Sequence, residues 1–155
     1  MSEPRLVRAA PAPLFERLTD LQPDIAAEAQ PLTMLSPEAV RESVLREIQR
    51  LLNTRAPVAA PVLERRIRST IDYGIPDLSV LGTRDFDSET KFVNAIRQAL
   101  EAYEPRLTAP SVRLARSTTQ NAAVLVQVKG ELHLGSIREP VSFEVAVDTK
   151  GPEYD

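Results

Sequence analysis

The sequence predicts an α+β fold, with two main helices packed on a three- or four-stranded antiparallel sheet and an extended, Pro-rich N-terminal arm. Apolar residues recur at helical spacing over residues 37–52 and again over 88–103. In the last third of the chain they alternate at strand spacing instead. Short polar links, 117–121 and 135–140, join those alternating runs and suggest a meander. One face of such a sheet must be covered, and the two helices carry the apolar stripes to cover it.

The first helix is expected from Pro37 to Leu52. Ser36 suits the N-cap, Pro37 the first helical position and Glu38 the first turn. Val40, Val44, Ile48, Leu51 and Leu52 form its buried stripe, while Arg41, Glu42, Arg46 and Arg50 face water. Glu42 and Arg46 have the favourable i,i+4 order for a pair. The second helix is expected from Ser88 to Tyr103, capped by Asp87 or Ser88, with Phe92, Ala95, Ile96, Ala99, Leu100 and Tyr103 on one face. Pro105 stops it and forces Glu104 out of the helical conformation. Between the helices, Val62 to Ile71 suits a short helix, and Tyr73 to Ser79 is rich in turn residues.

Three strands follow. Val112 and Leu114 mark one at 111–116. Val124, Val126, Val128, Leu132 and Leu134 share one face of the next, and Gln127, Lys129, Glu131 and His133 the other. Val141, Phe143, Val145 and Val147 alternate in the last. The expected core includes Val124, Val126, Val128, Phe143, Val145, Ile48, Phe92 and Ile96. The chain divides into an arm (1–35), a domain (36–150) and a short tail (151–155). Eight of the 13 prolines lie in the first 61 residues, so the arm cannot be one helix, and residues 1 to about 13 are expected to be mobile. Leu14, Phe15, Leu18 and Leu21 make one apolar turn within it. Such a turn is too short to be stable alone and must dock on this domain or on a partner.

Composition narrows the chemistry. The chain has 155 residues, 43% hydrophobic and 26% charged, which suits one globular domain. A net charge of -3 argues against binding duplex nucleic acid. Only Lys91, Lys129 and Lys150 are lysines among 19 basic residues. Arg suits planar contacts at interfaces, although a GC-rich genome gives the same bias. Without Cys there is no disulfide, thiolate metal site or cysteine nucleophile. His133 is the one histidine and stands on a polar strand face, which favours a solvated residue over a metal ligand or a triad member. The five glycines form no phosphate loop, and neither a cofactor nor a metal is expected. No apolar run spans a bilayer and no secretory signal is evident, so the expected location is the cytoplasm.

The segment Tyr103-Glu104-Pro105-Arg106 stands where a helix gives way to a strand. Pro105 fixes the corner, and Glu104 and Arg106 project either towards each other or towards a partner. This Glu-Pro-Arg corner, followed by a β meander, resembles the phage baseplate wedge family, whose label often includes the word lysozyme. Leu14-Phe15-Glu16-Arg17-Leu18, Leu51-Leu52-Asn53-Thr54-Arg55 and Tyr73-Gly74-Ile75-Pro76-Asp77-Leu78-Ser79 narrow the resemblance to the TssE-type baseplate subunits of type VI secretion systems. It covers about residues 14–148, with no match in the Ala- and Pro-rich linker between Arg55 and Leu63.

The resemblance implies a structural subunit of a contractile injection machine and no enzyme. It implies partners in the baseplate (TssF, TssG, TssK) and in the sheath (TssB, TssC), whose first ring such subunits template by strand exchange. It implies a place at the inner face of the inner membrane. On this reading Glu104, Pro105 and Arg106, with Leu14, Phe15, Glu16, Arg17 and Leu18, bind partners. The alternative is a glycoside hydrolase acting on peptidoglycan, which needs two carboxylates about one bond. No such pair stands out, and Glu104 is a poor acid candidate with Arg106 so near.

Overall fold

The computed structural model describes residues 9–18, 24, 34–63, 65, 67–77, 86–116, 123–135 and 137–148. Its helices are α1 (Leu14–Leu18), α2 (Pro37–Asn53), α3 (Ala60–Leu63) and α4 (Phe86–Tyr103). Its strands are β1 (Ala10–Pro11), β2 (Met34–Leu35), β3 (Leu107–Arg116), β4 (Ala123–Leu134) and β5 (Ile137–Asp148). β3, β4 and β5 form one antiparallel sheet in that order. The fold is α+β, with the long helices packed on the three-stranded sheet as the sequence predicts: α4 against β3, α2 against β5.

α2 begins as expected. Ser36 is extended, and its hydroxyl accepts from the Ala39 amide at 3.2 Å. That bond satisfies one of the donors a helix start leaves open. Val40, Val44, Ile48, Leu51 and Leu52 are buried, and Ser43 lies among them. α4 starts at Phe86, two residues before the expected Ser88. Asp87 and Ser88 therefore lie inside the first turn, where the helix dipole favours an acidic group such as Asp87. Its other end is as read: Tyr103 is the last helical residue and Pro105 follows Glu104.

The short helix expected over Val62 to Ile71 is divided into α3 and a 3₁₀ turn, Thr70–Asp72. Asp72 causes the break locally. Its buried carboxylate accepts from the Ser69 amide and hydroxyl, both at 3.0 Å, and starts a new turn there.

β3 starts at Leu107, four residues before the expected Ser111. The pairing with β4 shifts between Thr108 and Ser111, where Ala109 has φ 49 and Pro110 has no amide proton to give. One extra residue in β3 is the result. Leu107 before the shift and Val112 after it both face the core. In β4 and β5 the alternation holds: Val126, Val128, Leu132, Val141, Phe143, Val145 and Val147 are buried, and Val124 is half-buried.

The arm departs from expectation. Ala10 pairs with Leu35 and Pro11 with Met34, and Ala10, Ala12 and Leu35 belong to the core. Small side chains on an extended backbone fit the shallow space above the β4–β5 turn, where Ala10 lies beside Gly135. Residues 10–13, expected to be mobile, are thus docked. Residues 1–8, the 117–121 link and the 151–155 tail lie outside the described residues.

Candidate partner-binding site

Both charged residues of the corner turn inward. Glu104 is 2% exposed and its side chain closes on Arg106. Arg106 Nε donates to Glu104 Oε1 at 2.7 Å and Nη2 to Oε2 at 2.6 Å, a bidentate fork. The Arg106 amide also donates to Oε1, at 3.2 Å, and Nη1 donates to Ser43 Oγ at 2.8 Å. Pro105 makes this possible by turning the chain between the partners, and the Arg106 carbonyl then accepts from the His133 amide at 2.7 Å. The corner thus joins α4 to the sheet and, through Ser43, to α2. Burial disfavours the Arg106 charge, but the hydrogen bonds and charge of Glu104 outweigh it and raise the pKa. Glu16 and Glu47 add to that effect. Of the two orientations open in the sequence, the pair adopts the internal one, in which the fork meets both oxygens of the buried carboxylate and offsets the cost of desolvating it. Pro105 is exposed at the tip, and only 14% of the Arg106 side chain reaches solvent.

α1 lies on the same stripe of α2. Ser43, Arg46, Glu47 and Arg50 are spaced along one side of that helix. Ser43 holds the corner, and one turn on Arg46 Nη2 meets Glu16 Oε1 of α1 at 3.0 Å. The expected Glu42–Arg46 pair gives way to this longer-range one. Arg17 is exposed, and its amide donates to the Pro13 carbonyl at 3.1 Å. Leu14 and Leu18 are 65% and 71% exposed, unusual for leucines of an apolar turn. The Phe15 side chain lies outside the described residues. Two segments about ninety residues apart therefore meet on one helix. Ser43 escaped the sequence reading, since a serine in an apolar stripe carries no signal of its partner.

The remaining quoted motifs meet as well. Gly74 has φ +116, and a Cβ there would stand 2.6 Å from the Thr54 carbonyl oxygen. The Ile75 amide donates to Thr54 O at 2.9 Å and the Ala56 amide to Ile75 O at 2.8 Å. Leu78 and Ser79 lie outside the described residues. Tyr73 packs edge-on to Tyr103, just before the corner, with ring centres 5.2 Å apart. No group of three His, Asp or Glu among the described residues is placed to hold a metal. None of the described helices is long and apolar enough to cross a membrane. His133 is exposed on the polar face of β4.

The corner is thus a salt-bridged joint between helix and sheet, with exposed leucines on the turn beside it. The family model described as baseplate wedge protein gp25 matches residues 38–135, more than half of the chain. The chain belongs to the gp25 baseplate wedge family. Among solved structures, a chain of "The baseplate complex from the type VI secretion system" is 22% identical, with 72% of this chain and 97% of that one covered and a TM-score of 0.49. A protein from Geobacter sulfurreducens described as a tail lysozyme is 16% identical, with coverages of 74% and 96% and a TM-score of 0.45. No curated protein matches the chain.

Proposed function

We propose that the chain is a non-catalytic baseplate subunit of a type VI secretion machine. It joins the baseplate wedge with TssF, TssG and TssK and templates the first ring of the TssB–TssC sheath, on the cytoplasmic side of the inner membrane. The observation that carries this reading is the shared α2 stripe, which sets the exposed Leu14 and Leu18 beside the corner. Apolar anchors on a surface fixed by ion pairs suit a protein partner better than a small substrate. Membership of the baseplate wedge family supports the same assignment. Glu104 has both oxygens engaged by Arg106, the arrangement of a structural pair.

Within this reading the site residues divide their work. Leu14, Phe15 and Leu18 enter an apolar groove of a baseplate partner, and Glu16 and Arg17 orient the turn that carries them. Glu104 and Arg106 hold the corner in shape, so that Pro105 and the exposed edge of Arg106 meet the partner preorganised. The test is sheath imaging in cells lacking the chain. The parent should restore sheath assembly, and Leu14→Asp/Leu18→Asp should fail to, with an unchanged melting curve because both leucines are exposed. Normal sheaths without the chain, or full rescue by the double variant, would overturn the proposal.

A further inference from the structure

A second face of the molecule carries apolar side chains that the proposed function does not use. Among the described residues the exposed large hydrophobics fall into two groups: Leu14, Leu18 and Met34 in the arm, and Val62, Ile67 and Ile71 from α3 to the 3₁₀ turn. Ile67 is 96% exposed and Ile71 73%. Their backbone is nevertheless tied to α4. Arg68 Nη1 donates to the Gly74 carbonyl at 3.0 Å, and Nη2 to the Ala95 carbonyl at 3.2 Å. The Tyr103 hydroxyl donates to the Ser69 carbonyl at 2.7 Å. Isoleucines held out to water on an anchored backbone lose little freedom when a partner covers them. Their exposure is a cost that binding removes.

Arg68 links this stretch to a hollow on α4. Ala95, which accepts from it, lines a space of about 370 Å³ together with Lys91, Asn94, Arg97 and Gln98. Steps of three and four residues set Lys91, Asn94, Ala95 and Gln98 on one side of the helix. The charged side chains that line the hollow, Lys91 and Arg97, are both basic. Arg97 meets Glu101 at 3.0 Å, in an exposed pair that costs little to exchange. Asp87 and Glu89 lie in the first turn of α4, ahead of the hollow, and do not line it. Arg65 is exposed before Ile67, and Arg68 is half-buried, its Nε without a hydrogen-bond partner among the described residues. The one carboxylate among the described residues of 62–72, Asp72, is buried and turned to Ser69. A chain of net charge -3 thus presents basic groups here around two exposed isoleucines.

We infer that this face takes an acidic, apolar segment of a partner subunit, whose aliphatic side chains cover Ile67 and Ile71 while its carboxylates enter the α4 hollow and meet Lys91 and Arg97. Charge complementarity selects that occupant. A nucleic acid or a free anion would satisfy the basic groups but leave the isoleucines in water. A purely apolar segment would bury Lys91 and Arg97 unpaired. The α1 turn rests on α2 and this face on α4, so the chain bridges two neighbours. That the segment belongs to a baseplate subunit rests on the proposed function; its chemistry rests on the face alone.

The isolated chain tests the chemistry. A short acetylated peptide alternating Glu and Leu is titrated into it while amide resonances are followed by NMR, beside a control alternating Lys and Leu. The Glu peptide should shift the amides of Ile67, Ile71, Lys91 and Asn94 to saturation, and the Lys peptide should not. Ile67→Asp and Lys91→Glu/Arg97→Glu should each weaken binding at least about tenfold. All three side chains reach water, so both variants should keep the parent's melting curve. Should the charge reversal unfold the chain, Lys91→Gln/Arg97→Gln is measured in its place. No shift, equal shifts from the two peptides, shifts confined to other residues, or folded variants that bind like the parent would each overturn the inference.

A benzophenone amino acid in place of Ile71, activated by light in cells, tests the source of the segment. It should cross-link to another baseplate subunit, at a peptide with Asp or Glu beside aliphatic residues, and Lys91→Glu/Arg97→Glu should remove that product. A cross-link to a second copy of this chain or to a basic peptide overturns the assignment, as does none from a chain that is present in the assembly. A chain that enters no baseplate assembly sinks the baseplate reading and with it the source of the segment, while the peptide result for the face stands.

Discussion

Removing Arg106 strands the Glu104 carboxylate, 2% exposed, without the guanidinium that engages both its oxygens. Breaking a buried pair on one side costs about 3–5 kcal/mol. Arg106→Ala should therefore lower the melting temperature by roughly 2–4 °C for each kcal/mol lost. Arg106→Lys should recover part of that, because a point charge cannot reach both oxygens and Ser43 together. Glu104→Gln/Arg106→Met should be more stable than Arg106→Ala, since no charge is left unpaired. If Arg106→Ala melts like the parent, the fork does not hold the corner. Gly74 offers a second test. With φ +116 and the Thr54 carbonyl 2.6 Å from where a Cβ would stand, Gly74→Ala meets both backbone strain and a clash. A loss of about 1–3 kcal/mol in urea unfolding is expected, and an unchanged midpoint would refute it.

At the scale of elements, α1 is the weakly held one. Five residues cannot sustain a helix, and its ion pair to α2 is half in water. Glu16→Ala should change global stability by about 1 kcal/mol or less. It should nevertheless speed amide exchange in residues 14–18, because α1 then loses its tie to Arg46. Unaltered exchange there would show that other contacts hold the turn. The arm before it behaves otherwise. Ala10 and Ala12 are buried against the domain, so Ala10→Glu should destabilise the fold by several kcal/mol. Melting at the parent's temperature would mean that the β1–β2 ladder is dispensable.

For the whole molecule, the three-stranded sheet is the platform on which both long helices pack. Val126 is fully buried on the middle strand, in the core that the sheet shares with α2 and α4. Val126→Asp should unfold the chain or cost several kcal/mol, and thereby abolish every contact surface at once. A parent-like melting curve would show that the facing of β4 is wrong.

Periodicity was enough to read α2, α4, β4 and β5 from the residues alone, because in each of them a face must be apolar whatever the neighbours are. Ser36 and Pro105 were equally legible as the start of one helix and the end of the other, since a cap and a stop act within a few residues. The family was legible from four short motifs in order. Tertiary structure alone decided the rest. It turned Arg106 inward to Glu104 and Ser43 and drew Arg46 from Glu42 to Glu16. It buried Ala10 in an arm that composition marks as loose, and it laid Asn53 along β5. Each of those outcomes is a choice of partner for a polar or small side chain. Propensity and spacing act over a turn or two of chain, whereas Glu16, Ser43 and Ala146 lie 30, 63 and 93 residues from the side chains they meet, and only the packed core brings them within reach.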